Sequence, residues 1–179
     1  MPERRKDAMS RTRHLFLTGE KQSGKTTAIE TFLQGQDLYV DGIRTVRVTN
    51  VYGEWSIHLL RAGTDEEPSD KNLLFLRSDH SREEAAARFD ALGCAILKNL
   101  HDPELILLDE IGPNEEYAQQ FQAEVFRLLD GGVPVLGVLQ AAGTCFLEQI
   151  RRRADVTIYE VTKENRNRIP KEIKNWYCK

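Results

Sequence analysis

The sequence predicts an α/β fold: a mainly parallel sheet flanked by helices, with an antiparallel β-hairpin inserted. Three observations lead there. Runs that are apolar throughout, such as "HLFLT" and "LILL", read as strands buried on both faces. Segments with apolar residues at helical spacing alternate with those runs, as in strand–helix–strand units. One stretch instead shows partial apolar–polar alternation on either side of Tyr52-Gly53, the mark of a hairpin. With 179 residues, the chain can form one domain with its own core.

Residues 1–13 are basic and have no apolar stretch, so they are expected to form a flexible tail, not a secretory signal. His14–Thr18 is the first strand, closed by Gly19. Gly24–Gln34 is a helix, with Gly35 in the position of a C-terminal cap. The hairpin covers about residues 43–61, and Thr64–Lys71 is an acidic loop leading to the strand "NLLFLR". Ser81-Arg-Glu-Glu84 fits a capping box, behind which Ala85, Phe89, Leu92, Ile96 and Leu100 recur at helical spacing.

"ELILLDE" is a strand ending in two carboxylates. Tyr117, Phe121, Val125 and Leu128 mark a helix that stops at Gly131-Gly132. "VPVLGVLQ" is a strand, Thr144–Arg153 a helix and "DVTIYEV" the last strand. Ile173, Trp176 and Tyr177 mark a short closing helix after Pro170. Residues 14–179 thus read as a single domain.

The balance of 25 basic and 28 acidic residues gives a net charge of −3, which speaks against nucleic acid as a partner. The 3 cysteines are widely spaced and show no metal-ligand pattern, as expected of a chain in the reducing cytoplasm. The apolar runs are too short to span a membrane. His14, His58, His80 and His101 have no ligand spacing, so Mg²⁺ is the only metal expected.

Gly19-Glu20-Lys21-Gln22-Ser23-Gly24-Lys25-Thr26 matches G-x-x-x-x-G-K-[ST] at every fixed position, between a predicted strand and a predicted helix. Glycines let successive N–H groups converge on a phosphate, and the helix start adds its positive dipole end. Lys25 would neutralise the β- and γ-phosphates, and the Thr26 hydroxyl would coordinate Mg²⁺. With Thr27, these nine residues are the expected nucleotide-binding set. The fold narrows to that of a P-loop NTPase.

Asp109 falls at the carboxyl end of a buried strand, where ligands bind in open α/β sheets, and is expected to hold Mg²⁺. Glu110 could orient and deprotonate a water for in-line attack on a γ-phosphate. Gln140, ending the neighbouring apolar run, is a further candidate as a γ-phosphate sensor. "TKEN" is not the N-K-x-D guanine reader, which argues against a dedicated GTPase.

Four segments, "HLFLTGEKQSGKTT", "VDGIRT", "LLDEIGPNE" and "IRRRADVTIYEVTKENRNRIP", make the chain resemble a known family. It is the small nucleoside-triphosphatases of thermophilic prokaryotes and vertebrates, which include the cancer-related nucleoside-triphosphatase. The segment from Val46 to Asn99 carries little of the likeness. The resemblance implies a single-domain P-loop fold that hydrolyses ATP, GTP and other triphosphates slowly, with Mg²⁺ and loose base preference. It implies Gly19 to Thr26 as the nucleotide loop, Asp109 and Glu110 as the acidic pair, and Arg166 as an arginine that offsets transition-state charge. Pro113 and Asn114 stand where the family pattern D-E-I-G-K-M-E has Lys-Met. The hairpin region is also shorter and less basic than is usual for the family, implying a different substrate range.

Two other classes stay open. A phosphotransferase acting on a nucleoside, nucleotide or other small acceptor could use Arg151, Arg152, Arg153, Arg166 and Arg168 as lid arginines. A nucleotide-gated binding protein could present the triple arginine and Trp176-Tyr177 to a partner.

Overall fold

The computed structural model describes residues 12–76 and 81–178. Residues 1–11 of the expected tail, the end of the "NLLFLR" strand and His80 lie outside the described residues. Seven strands form one sheet: β1 (His14–Thr18), β2 (Val40–Thr49), β3 (Trp55–Arg61), β4 (Leu73–Leu76), β5 (Leu105–Ile111), β6 (Val135–Leu139) and β7 (Val156–Glu160). Their order is β4-β3-β2-β5-β6-β1-β7. The β2–β5, β5–β6, β6–β1 and β1–β7 pairs are parallel, whereas β2–β3 and β3–β4 are antiparallel. The helices are α1 (Lys25–Gln34), α2 (Arg82–Arg88), α3 (Cys94–Leu97), α4 (Gln119–Asp130), α5 (Cys145–Arg151) and α6 (Ile169–Tyr177).

Strands buried on both faces have to be covered on both faces. Ala28, Ile29 and Phe32 of α1 pack with Ile169, Ile173 and Trp176 of α6 over Leu15, Leu17, Leu107 and Val138. On the other face, α2 to α5 bring Phe89, Leu97, Phe121, Val125 and Phe146 onto Phe16, Ile43, Leu108 and Leu139. His14 is fully buried between the layers. Its Nε2 donates to the Leu129 carbonyl at 2.9 Å and its Nδ1 accepts from the Val135 amide at 3.1 Å, so burial holds it neutral, below the usual histidine range.

Two elements depart from the periodicity reading. The helix behind Ser81 has its capping box, but a π-helical turn at Phe89–Gly93 joins α2 to α3, where bare Gly93 admits the Phe121 ring. Tyr117 was expected on the next helix, yet it lies in a 3-10 turn, Pro113–Tyr117, and is exposed. Helical spacing alone did not separate that turn from α4.

The hairpin is more integral than an insertion. Its first strand is also a parallel member of the central sheet, with Arg44 in register with Asp109. β2 runs on to Thr49, so it rises roughly 16 Å past the carboxyl edge at about 3.3 Å per residue. Its base is fixed by buried Asp41, which takes a two-pronged bond from Arg61 (2.8 and 2.6 Å) and the amides of Gly42 and His101. Burial works against the Asp41 charge, but these donors win and hold its carboxyl below the usual range. No helix among the described residues is long and apolar enough to cross a membrane.

Candidate active site

The carboxyl ends of β2, β5, β6 and β1 lie side by side along one edge of the sheet. Each delivers part of the site.

The loop after β1 curls tightly. Gly19 has φ 130°, and any side chain there would run into the Val161 carbonyl. Gln22 is left-handed at φ 60°, a conformation rare for residues with a side chain. The Lys25 ammonium lies inside the curl, donating to the carbonyls of Gly19 (3.0 Å) and Glu20 (2.6 Å) and to Ser23 Oγ (3.3 Å). Burial lowers its pKa, against the pull of Glu110 and Asp109. Glu20, Lys21, Thr26 and Thr27 are exposed around it.

The loop meets the acidic strand end directly. Thr26 Oγ1 donates to Asp109 Oδ1 at 3.3 Å. Asp109 is 7% exposed, and burial, reinforced by the Glu110 charge, pushes its pKa up to about 6. Magnesium in phosphate sites takes one or two protein oxygens and completes its shell from phosphate and water. One hydroxyl and one carboxylate side by side fit that requirement. Among the described residues, no group of three or more His, Cys, Asp or Glu side chains could cage a metal alone.

Glu110 is placed by an irregularity that sequence did not reveal. Leu108 pairs with Gly137, but Ile111 pairs with Leu139, so β5 carries one residue more than β6. That bulge re-aims the side chain, and Glu110 takes φ 69°. Its Oε1 accepts from Gln140 Nε2 at 3.1 Å and its Oε2 from Thr45 Oγ1 at 3.3 Å. Gln140, a candidate phosphate sensor from its place at a strand end, here donates to Glu110. Thr45 was missed; its only signal was its place in "VDGIRT".

Behind the bulge, Glu115 is 2% exposed and accepts from the Gly112 amide at 3.1 Å. Burial pushes its carboxyl up to about 8, so it holds its proton at neutral pH. Pro113, where the family pattern has lysine, opens this 3-10 turn, where its fixed φ fits and no amide is needed.

Arg166 starts a 3-10 turn, Arg166–Arg168, beside the phosphate loop; its Cδ lies 3.6 Å from where a Cβ on Gly24 would sit. The other arginines divide. Arg151 donates to the carbonyls of Gln140 and Ala142 (both 2.6 Å) and to Glu148 (2.7 Å), and Arg153 binds Asp155 and Asp130. These two brace the fold and do not form a lid. Arg152 and Arg168 are exposed. Trp176 is buried, with Nε1 donating to the Thr12 carbonyl at 2.9 Å, so it anchors packing and is withdrawn from any partner surface.

Comparison with known proteins identifies the family. The family model described as NTPase matches residues 14–174. The cancer-related nucleoside-triphosphatase homolog of Bos taurus is 29% identical, the match covering 90% of this chain and 94% of that one. The nucleoside-triphosphatase THEP1 of Thermofilum pendens is 35% identical over 44% of each chain. The crystal structure of THEP1 from Aquifex aeolicus superposes with a TM-score of 0.71 at 21% identity, covering 89% of this chain and 96% of that one, a likeness of fold.

Proposed function

The chain belongs to the NTPase family, and from that membership we propose that it is a Mg²⁺-dependent nucleoside-triphosphatase with loose base preference, acting in the cytoplasm. The observation that carries the reading is the 3.3 Å contact between Thr26 of the phosphate loop and Asp109, with Glu110 next in the chain. Phosphate-binding and water-activating groups share one edge of the sheet.

In the proposed reaction, the amides of residues 19–26 and the Lys25 ammonium bind the triphosphate tail. Thr26 and Asp109 would hold Mg²⁺, which would supply charge neutralisation on the phosphate oxygens. A water lined up by Glu110 attacks the γ-phosphorus and passes a proton to the carboxylate. The bond from phosphorus to the β–γ bridging oxygen breaks, its electron pair goes to that oxygen, and NDP and phosphate leave. Arg166 offsets the charge that builds on the γ-phosphoryl oxygens.

Loose base preference is supported by the "TKEN" turn. Asn165 accepts from the Thr162 amide (2.8 Å) and donates to the Glu160 carbonyl (2.9 Å), while Thr162 Oγ1 accepts from the Asn165 amide (3.3 Å). Those side chains hold the turn and are not presented to a base.

Phosphate release from ATP, GTP, CTP and UTP with Mg²⁺ tests the reading. Turnover of several triphosphates, lost in Glu110→Gln, is expected. Transfer of the γ-phosphate to an added acceptor, with no release to water, would overturn it in favour of a phosphotransferase.

A further inference from the structure

We infer that Gln140 and Thr45 are positioning residues for hydrolysis, two donors that clamp the Glu110 carboxylate in the direction from which it aims water. The inference rests on the hydrolytic reading above and adds residues to it.

Glu110 has little else to hold it. It sits on a bulge with φ 69°, its side chain is exposed, and a carboxylate on an exposed side chain ordinarily samples several rotamers. Yet each oxygen has its own donor, from opposite flanks. Gln140 comes from the end of β6 at 3.1 Å, and Thr45 comes from β2 at 3.3 Å.

The Gln140 side of the clamp is itself fixed. Its amide donates to the Ile111 carbonyl at 2.9 Å, and its carbonyl accepts from Arg151 at 2.6 Å. Its side chain lies against Gly112, where a Cβ would come within 2.7 Å of Gln140 Cδ, so only glycine leaves the amide room to reach Glu110. Each oxygen of an ionised carboxylate accepts more than one hydrogen bond, so a clamped Glu110 can still take one from water.

A residue that acts through Glu110 should lower kcat, leave nucleotide affinity alone, and matter only while Glu110 is present. Gln140→Leu should slow kcat about 10–30-fold, and Thr45→Val about 5–10-fold. Both should bind a non-hydrolysable ATP analogue within about twofold of wild type, which also reports that the variants are folded. Thr45→Ser, which restores the hydroxyl, should recover most of the Thr45→Val loss. In a Glu110→Ala background, Gln140→Leu should cost no further rate.

Three results would overturn the inference: full additivity of Gln140→Leu with Glu110→Ala, kcat within twofold of wild type in both single variants, or weakened analogue binding, which would make Gln140 a phosphate contact. If wild-type protein releases no phosphate from any triphosphate, the hydrolytic reading itself has failed, a distinguishable outcome.

Discussion

The two halves of the site are built in opposite ways. The phosphate loop is local: Lys25 donates to acceptors on residues two to six positions away. The acidic half is assembled from distant segments, with Glu110 meeting Thr45 and Gln140 across 65 and 30 positions. Charge differs too. The loop gathers positive potential from peptide dipoles and two lysines, Lys21 and Lys25. The acidic side concentrates Asp109, Glu110 and buried Glu115, and burial pushes two of these up, to about 6 and about 8. In the proposed reaction, binding would be the work of one contiguous peptide, whereas water activation would depend on the sheet being assembled.

That contrast can be broken by two substitutions whose effects should be the largest in the molecule. Lys25→Ala removes the cation that, in the proposed reaction, would touch phosphate in both the ground and transition states, so it should weaken nucleotide affinity about 100-fold. Glu110→Gln keeps shape and hydrogen bonding but not basicity. It should leave affinity within about threefold and lower kcat by about 10²–10³. Calorimetry beside phosphate-release rates separates the two. Equal loss of affinity in both variants would mean that the halves do not divide the work.

The same contrast explains what sequence could reveal. A contiguous motif between a strand and a helix is legible, as were Asp109 and Glu110 at the end of an apolar run. The strand and helix sequence was legible for the same reason, since apolar runs and helical spacing are local signals. The bulge at Glu110 was not, because one extra residue shows only when β5 is paired with β6. Gln140 was noticed as a polar strand end, but its partner depends on which strand lies beside it. Beyond its place in "VDGIRT", Thr45 gave no sign of its role, inside a hairpin whose first strand was not expected to continue the parallel sheet.

Glu115 sharpens the comparison through pH. Its carboxyl titrates near 8 in the fold and near 4.5 when unfolded. Between those values the native state binds the extra proton, so stability is lost as pH rises through that window and is level above it. Glu115→Gln removes this slope while keeping an acceptor for the Gly112 amide. Urea midpoints from pH 5 to 9 should fall for wild type relative to the variant, the gap widening to roughly 3–5 kcal/mol by pH 9. Parallel curves would mean that the carboxylate is charged and compensated throughout.

Arg166 tests whether the site needs a residue from beyond both halves. It lies against the loop side at Gly24. Arg166→Ala should reduce kcat about 10–30-fold with little change in KM, as expected of an interaction formed mainly in the transition state. Arg166→Lys should restore only part of the rate, because a point charge cannot bridge two phosphoryl oxygens as a guanidinium can. A rise in KM alone would make Arg166 a ground-state phosphate contact.

The smallest effect concerns the residue where the halves touch. Asp109 titrates near 6 in the fold against 3.8 unfolded, so stability is lost as pH rises between those values and the full cost of its charge is present above about 6. Asp109→Asn deletes that charge and keeps an acceptor for Thr26, while leaving an amide hydrogen that must find a partner. The two-unit shift sets a ceiling of about 3 kcal/mol, and the unpaired amide reduces the gain to about 1–2 kcal/mol at pH 7.5. For a chain of this length, Tm should rise by about 3–6 °C without ligand. Adding Mg²⁺ and a non-hydrolysable triphosphate should reverse the order, because the wild-type side chain then meets the cation with a negative charge that asparagine lacks. If Asp109→Asn melts below wild type without ligand, the Asp109 charge is already compensated in the resting protein, and the electrostatic cost assigned to the acidic half does not lie there.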